Sequence, residues 1–98
     1  MPSEFTLTEA RDLLQALRAI APDALRAPLS PADLQTVIAA GVDVKGIEQG
    51  LLDFPATIDG VPAHWCWQSG EDDIAWWHPR NAGFAGRRRI APDIEAIR

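Results

Sequence analysis

The sequence has one cysteine, Cys66, in 98 residues, which excludes an intrachain disulfide. It has no apolar run near the ~20 residues needed to span a bilayer. Its opening, MPSEFTLTEA, lacks the basic and apolar regions of a signal peptide. A cytoplasmic setting is the expectation that follows. Positive charge is also scarce. Nine Lys and Arg stand against 14 Asp and Glu, for a formal net charge of −5. Phosphate neutralisation needs clustered cations, so neither nucleic acid nor a membrane surface is expected as a partner. The one basic cluster, Arg87-Arg88-Arg89, is too short to reverse that balance. Internal repeats and low-complexity segments are lacking too. A single domain over residues 1–98 is expected, with a helical part at 5–41, a β-meander at 51–78 and a C-terminal loop and tail at 79–98.

What is present is concentrated. Residues 51–78 hold all four tryptophans, both histidines and the cysteine. Ahead of them, "FTLTEARDLLQALRAIAP" predicts a capped amphipathic helix. Thr6 and Glu9 have capping-box spacing, and Phe5 can staple onto Ala10. Ala10, Leu13, Leu14, Leu17, Ile20 and Ala21 follow the helical period, and Pro22 ends the run. "LSPADLQTVIAAG" predicts a second helix, with Ser30 as N-cap, Pro31 at its first position and Gly41 as its stop. Leu34, Val37 and Ile38 form its apolar stripe. "VDVKGIEQG" reads as a connection.

The period then becomes two. Asp59-Gly60 between apolar flanks is a two-residue hairpin signal. Pairing Ile58 with Val61 sets Phe54 against Trp65 and Leu52 against Trp67. A second turn at "SGED" pairs Gln68 with Asp73, which sets Trp65 against Trp76. One face of this three-stranded antiparallel meander then carries Leu52, Phe54, Ile58, Val61, Trp65, Trp67, Ile74 and Trp76. The two N-terminal helices can cover it, giving an α+β fold closed by a Gly-rich C-terminal loop. The other face carries Asp53, His64, Cys66 and Trp77 and is mostly polar, as a solvated antiparallel face should be. In this register His78 falls on the helix side, near a sheet end. "APDIEAIR" at the end of the chain allows one last helical turn opened by Asp93.

Several short motifs occur together: Asp53-Phe54-Pro55, Cys66-x-x-x-Gly70-Glu71 around Trp67, Trp77-His78 and Gly83-Phe84-Ala85-Gly86-Arg87. With "FTLTEA" and "GVDVKGIEQGLLDFP", they resemble the small bacterial family named domain of unknown function 2203 (DUF2203). The likeness covers residues 5–21 and 41–90. The family has a longer charged helical arm after its first helix, which here is reduced to "DALRAPLSPADLQTVIAA", so the chain resembles a shortened member. The resemblance implies an α+β layout in a bacterial cytosol and supplies no mechanism.

The candidate site residues are Asp53, His64, Cys66, Trp77 and Arg87. His64 and Cys66 share a face about 7 Å apart along one strand, with Asp53 opposite Cys66. Zinc requires three or four converging ligands. With His78 on the far side the set is incomplete, so no metal and no cofactor is expected. A Cys–His catalytic pair fits the same face, but no oxyanion element is legible. Glu71-Asp72-Asp73 lacks calcium-loop spacing and reads as a charged turn. Arg87 after the glycine-rich loop can take a small anionic ligand, or fold back to meet Asp53 among His64, Cys66 and Trp77. Trp77 on the outer face and two open sheet edges predict a homodimer. The leading expectation is a non-catalytic interaction or ligand-binding module. The alternative is an enzyme or metal-dependent activity using Asp53, His64, Cys66 and Arg87.

Overall fold

The computed structural model describes residues 4–91. Helix α1 spans Leu7–Arg18 and helix α2 spans Pro31–Ala39. Both begin with a complete capping box, Thr6 with Glu9 and Ser30 with Asp33. Each box satisfies two N-terminal backbone donors that helical bonding leaves open. Gly41, at φ +90°, ends α2. The Val42 N–H donates to Val37 O and the Gly41 N–H to Ile38 O. That is a Schellman closure, which only a residue comfortable at positive φ supports well.

Five antiparallel strands follow in simple order: β1 Asp43–Gly46, β2 Leu51–Ile58, β3 Val61–Gln68, β4 Trp76–Pro79 and β5 Arg88–Arg89. The expected meander is therefore the centre of a larger sheet. The segment read as a connection supplies β1, which pairs with β2. The basic cluster supplies β5, which pairs with β4. The edges of the expected meander are thereby covered, and the short strands β1 and β5 become the edges of the sheet. The last turn expected at Asp93 lies outside the described residues.

The β2–β3 hairpin has the expected register throughout, from Ile58↔Val61 to Leu52↔Trp67. Asp59 and Gly60 both sit at positive φ, 53° and 80°. A turn of this kind matches the natural twist of the paired strands and fixes their alignment locally.

The β3–β4 register differs from the expected one by one residue. Trp65 pairs with Trp77, Cys66 with Trp76 and His64 with His78. The cause is the 69–75 connection, where a turn closes from the Gln68 carbonyl to the Glu71 N–H at 3.0 Å but strand pairing does not follow it. The Glu71 carboxylate accepts from the Gln68 N–H, and the Glu71 carbonyl accepts from Trp67 Nε1. Helix α1 holds the rest of the connection. Arg11 donates to the Ile74 carbonyl at 2.8 and 3.1 Å, and Arg18 donates to the Asp72 carbonyl at 2.6 Å. Strand pairing resumes only at Trp76. In a strand a one-residue shift exchanges the two faces. Trp77 therefore packs on the helix-side core, and Trp76 and His78 move to the outer face. One ground for self-association, an outward Trp77, is corrected with it.

The core lies between the helices and one sheet face. Leu7, Ala10, Leu14 and Leu17 of α1 and Val37 of α2 are buried with Leu52, Phe54, Trp65, Trp67 and Ile74. Trp65 Nε1 donates to the Phe5 carbonyl at 2.7 Å, so the largest core side chain also satisfies its one polar atom. Ile20 and Ile38, expected in the apolar stripes, are exposed. Ile20 lies beyond the end of α1, and Ile38 is on the last turn of α2.

Candidate functional site

The outer sheet face brings four side chains with metal-ligating or acid–base chemistry together. Asp53 stands on β2 directly opposite Cys66 on β3, and His64 on β3 stands directly opposite His78 on β4. All four are buried. Asp is disfavoured mid-strand and is almost never buried without a partner. Here its partner is His78, whose Nε2 lies 3.0 Å from Asp53 Oδ2.

The hydrogen bonds around the imidazoles fix where their lone pairs point. His78 Nδ1 lies 2.8 Å from the Pro79 carbonyl. A carbonyl only accepts, so Nδ1 carries a proton. His78 Nε2 then faces the Asp53 carboxylate, and a proton or a cation must lie between them. His64 Nε2 lies 3.3 Å from Asp43 Oδ2. Donation to that carboxylate leaves Nδ1 with its lone pair turned towards Asp53 Oδ2, 3.8 Å away. Among the described residues, neither His64 Nδ1 nor Asp53 Oδ1 has a hydrogen-bond partner. Burial holds His64 below the ordinary histidine range, against the pull of Asp53; His78 adds to the depression, Asp43 opposes it and Lys45 adds a little more. Burial, and then the Asp53 charge, push the Cys66 thiol up to about 12, with Arg87 pulling the other way.

Arg87 reaches the same face but does not pair with Asp53. One of its terminal nitrogens lies 2.9 and 3.0 Å from the two oxygens of Glu71. Its guanidinium stacks 4.9 Å from the Trp76 ring and 4.7 Å from the Phe84 ring. The expected Asp53–Arg87 meeting is corrected: Glu71 takes the guanidinium because the long 69–75 connection folds back over that end of the sheet.

Of the expected site residues, the fold gathers Asp53, His64 and Cys66, places Arg87 at their edge, and removes Trp77 to the core. It adds His78, which the sequence reading put on the far side. The alternation of β4 carries the signal for His78, one residue out of the register expected from the sequence. A cleft of about 280 Å³ lined by Lys45, Leu51, Asp53, His78, Arg80 and Phe84 reaches two members of the group, Asp53 and His78. Larger clefts, of about 340, 520 and 420 Å³, lie beside the 20–36 segment, beside Trp67 and Ser69, and beside the 71–76 segment. They hold no buried titratable side chain, so chemistry rather than size selects the smaller one.

Residues 30–90 match the family described as "Uncharacterized conserved protein (DUF2203)". The chain belongs to the DUF2203 family. The matched segment contains α2, all five strands and every side chain of the site, and leaves out α1. The resemblance drawn from the sequence is confirmed for the sheet, and the family match begins at Ser30 rather than at Phe5. No curated protein and no solved structure matches this DUF2203 chain. No helix among its described residues is long and apolar enough to cross a membrane.

Proposed function

We propose that this DUF2203 protein is a non-catalytic ligand-binding module whose site is the buried group Asp53, His64, Cys66 and His78. One observation carries the reading. Asp53 Oδ1 and His64 Nδ1 are buried acceptors with no hydrogen-bond partner among the described residues, and a cleft lined in part by Asp53 and His78 reaches their group. An unpaired buried polar atom costs about 1–3 kcal/mol. Two in one group, beside a carboxylate and an imidazole at 3.0 Å, favour a ligand that completes them.

The chemistry weighs against catalysis. A cysteine nucleophile works as a thiolate, which needs a lowered pKa and access. Cys66 is fully buried, and its thiol is pushed up to about 12. Arg87 is already paired with Glu71 through a terminal nitrogen.

Native mass spectrometry of the freshly purified full chain tests the reading. The expected result is a retained ligand that is lost in Cys66→Ser, a small buried change that leaves the fold intact by circular dichroism. A wild type that carries nothing, and whose melting temperature no ligand raises more than that of Cys66→Ser, overturns it.

A further inference from the structure

We infer that the ligand of this site is a divalent transition-metal ion of the zinc class, held by Asp53, Cys66 and His78 with His64 as the fourth ligand. The inference deepens the binding-site reading and rests on it.

Geometry is the first argument. One ligand atom each from Asp53, Cys66 and His78 lies within 4.8 Å of the other two. Ligands of a tetrahedral zinc ion, at about 2.0–2.3 Å from the metal, stand roughly 3.3–3.6 Å apart. Small side-chain movements bring the three into that range. His64 Nδ1, 3.8 Å from Asp53 Oδ2, is on the same face and has its lone pair free.

The second shell is the second argument. A metal-bound histidine typically donates its other ring N–H to a carbonyl or carboxylate, which fixes tautomer and orientation. His78 does so to the Pro79 carbonyl at 2.8 Å, and His64 does so to the Asp43 carboxylate at 3.3 Å. Both remaining lone pairs point to Asp53.

Charge and donor type are the third. One carboxylate, one thiolate and two neutral imidazoles balance a dication, so the buried pocket carries no net charge. Arg87 and Glu71 beside it cancel each other. A sulfur and two nitrogens exclude magnesium and calcium, which take oxygen ligands, and suit zinc or cobalt. As the metal binds, the Cys66 proton and the proton held between His78 Nε2 and Asp53 leave to solvent, and no electron is transferred. Four protein ligands close the coordination sphere, as in structural rather than catalytic zinc sites. The expectation of no metal rested on an incomplete ligand set, and His78 removes that premise.

The test uses the full-length chain, stripped with chelator and kept reduced. Cobalt(II) is titrated in and followed optically, then displaced with zinc. The expected result is one cobalt per chain, with a thiolate-to-metal charge-transfer band in the near ultraviolet and the visible bands of a tetrahedral site. Cys66→Ser loses the charge-transfer band, and His78→Gln binds roughly 100-fold more weakly or worse. Cys66 is the single thiol of the sequence, so should a variant misfold, the charge-transfer band of the wild type alone reads the same contact. Failure of the wild type to bind cobalt or zinc, or an unchanged cobalt spectrum in Cys66→Ser, overturns the metal. If mass spectrometry then finds a retained non-metal ligand that depends on Cys66, the binding site stands without the metal. If it finds none, both readings fall.

Discussion

His78 Nε2 lies 3.0 Å from Asp53 Oδ2 although strand β3 runs between their two strands. The contact is diagonal across the outer face. Asp53 faces Cys66, Cys66 faces Trp76, and His78 is two residues beyond Trp76 on the same side. Only the observed β3–β4 register puts His78 there, and the site exists because of that register.

Arg87 and Glu71 form a partly buried pair, so truncating either leaves the other unpaired. Arg87→Ala and Glu71→Ala are each expected to lose about 1–3 kcal/mol. A double-mutant cycle by urea unfolding should show strong coupling between these two and weak coupling between Arg87 and Asp53. Coupling of Arg87 to Asp53 as large as to Glu71 contradicts the observed pairing.

Cys66 in the reduced, metal-free chain is expected to resist alkylation at pH 8. Its thiol is fully buried and pushed up to about 12, so little thiolate is present or reachable. The labelling rate should rise with urea across the unfolding transition. Fast labelling of the native chain at low urea disproves this environment.

Gly60 occupies the second turn position at φ +80°, and a Cβ there meets nothing within 4 Å. The cost of Gly60→Ala is therefore backbone strain alone, about 1–2 kcal/mol. The urea midpoint should fall while the slope stays constant. No change in midpoint removes the turn as the device that sets the β2–β3 register.

Glu4 is an exposed carboxylate that accepts from Thr57 Oγ1 at 2.7 Å and from Arg80 at 2.9 Å. Hydrogen bonds from Thr57 and then Arg80 hold its carboxyl below the ordinary value of 4.5. A depressed folded pKa adds stability that is complete above the unfolded pKa and is lost as pH falls through the folded one. Wild type should therefore exceed Glu4→Gln in urea midpoint at pH 6, and the gap should close as pH drops below about 4.5. A gap that persists at pH 2 rules out the linkage.

Which features were legible from sequence depends on how far apart the controlling groups lie. The helix caps and the α2 stop are set by residues within six positions of each other, and they form as read. Asp59-Gly60 fixes the β2–β3 register for the same reason: both positive φ angles lie in the turn itself. Asp53, His64 and Cys66 share a face through that hairpin alone, so three members of the site follow from local pattern.

The β3–β4 register is different. Arg11, Gln15 and Arg18 of α1 hold the carbonyls of Asp72 and Ile74 from 54 to 63 positions away. These bonds keep residues 72–74 out of the ladder and delay β4 to Trp76. Sequence alternation allows both registers, since Trp76 and Trp77 are equally able to fill the helix-side core. Packing against α1 chooses between them. β1 and β5 are likewise short segments without strand patterning, and they form because exposed β2 and β4 edges offer backbone partners. The sequence alone therefore determined the hairpin and the chemistry of Asp53, His64 and Cys66. Tertiary contacts from α1 decided that His78 joins them and Trp77 does not, because one residue of register turns a side chain from one face of a sheet to the other.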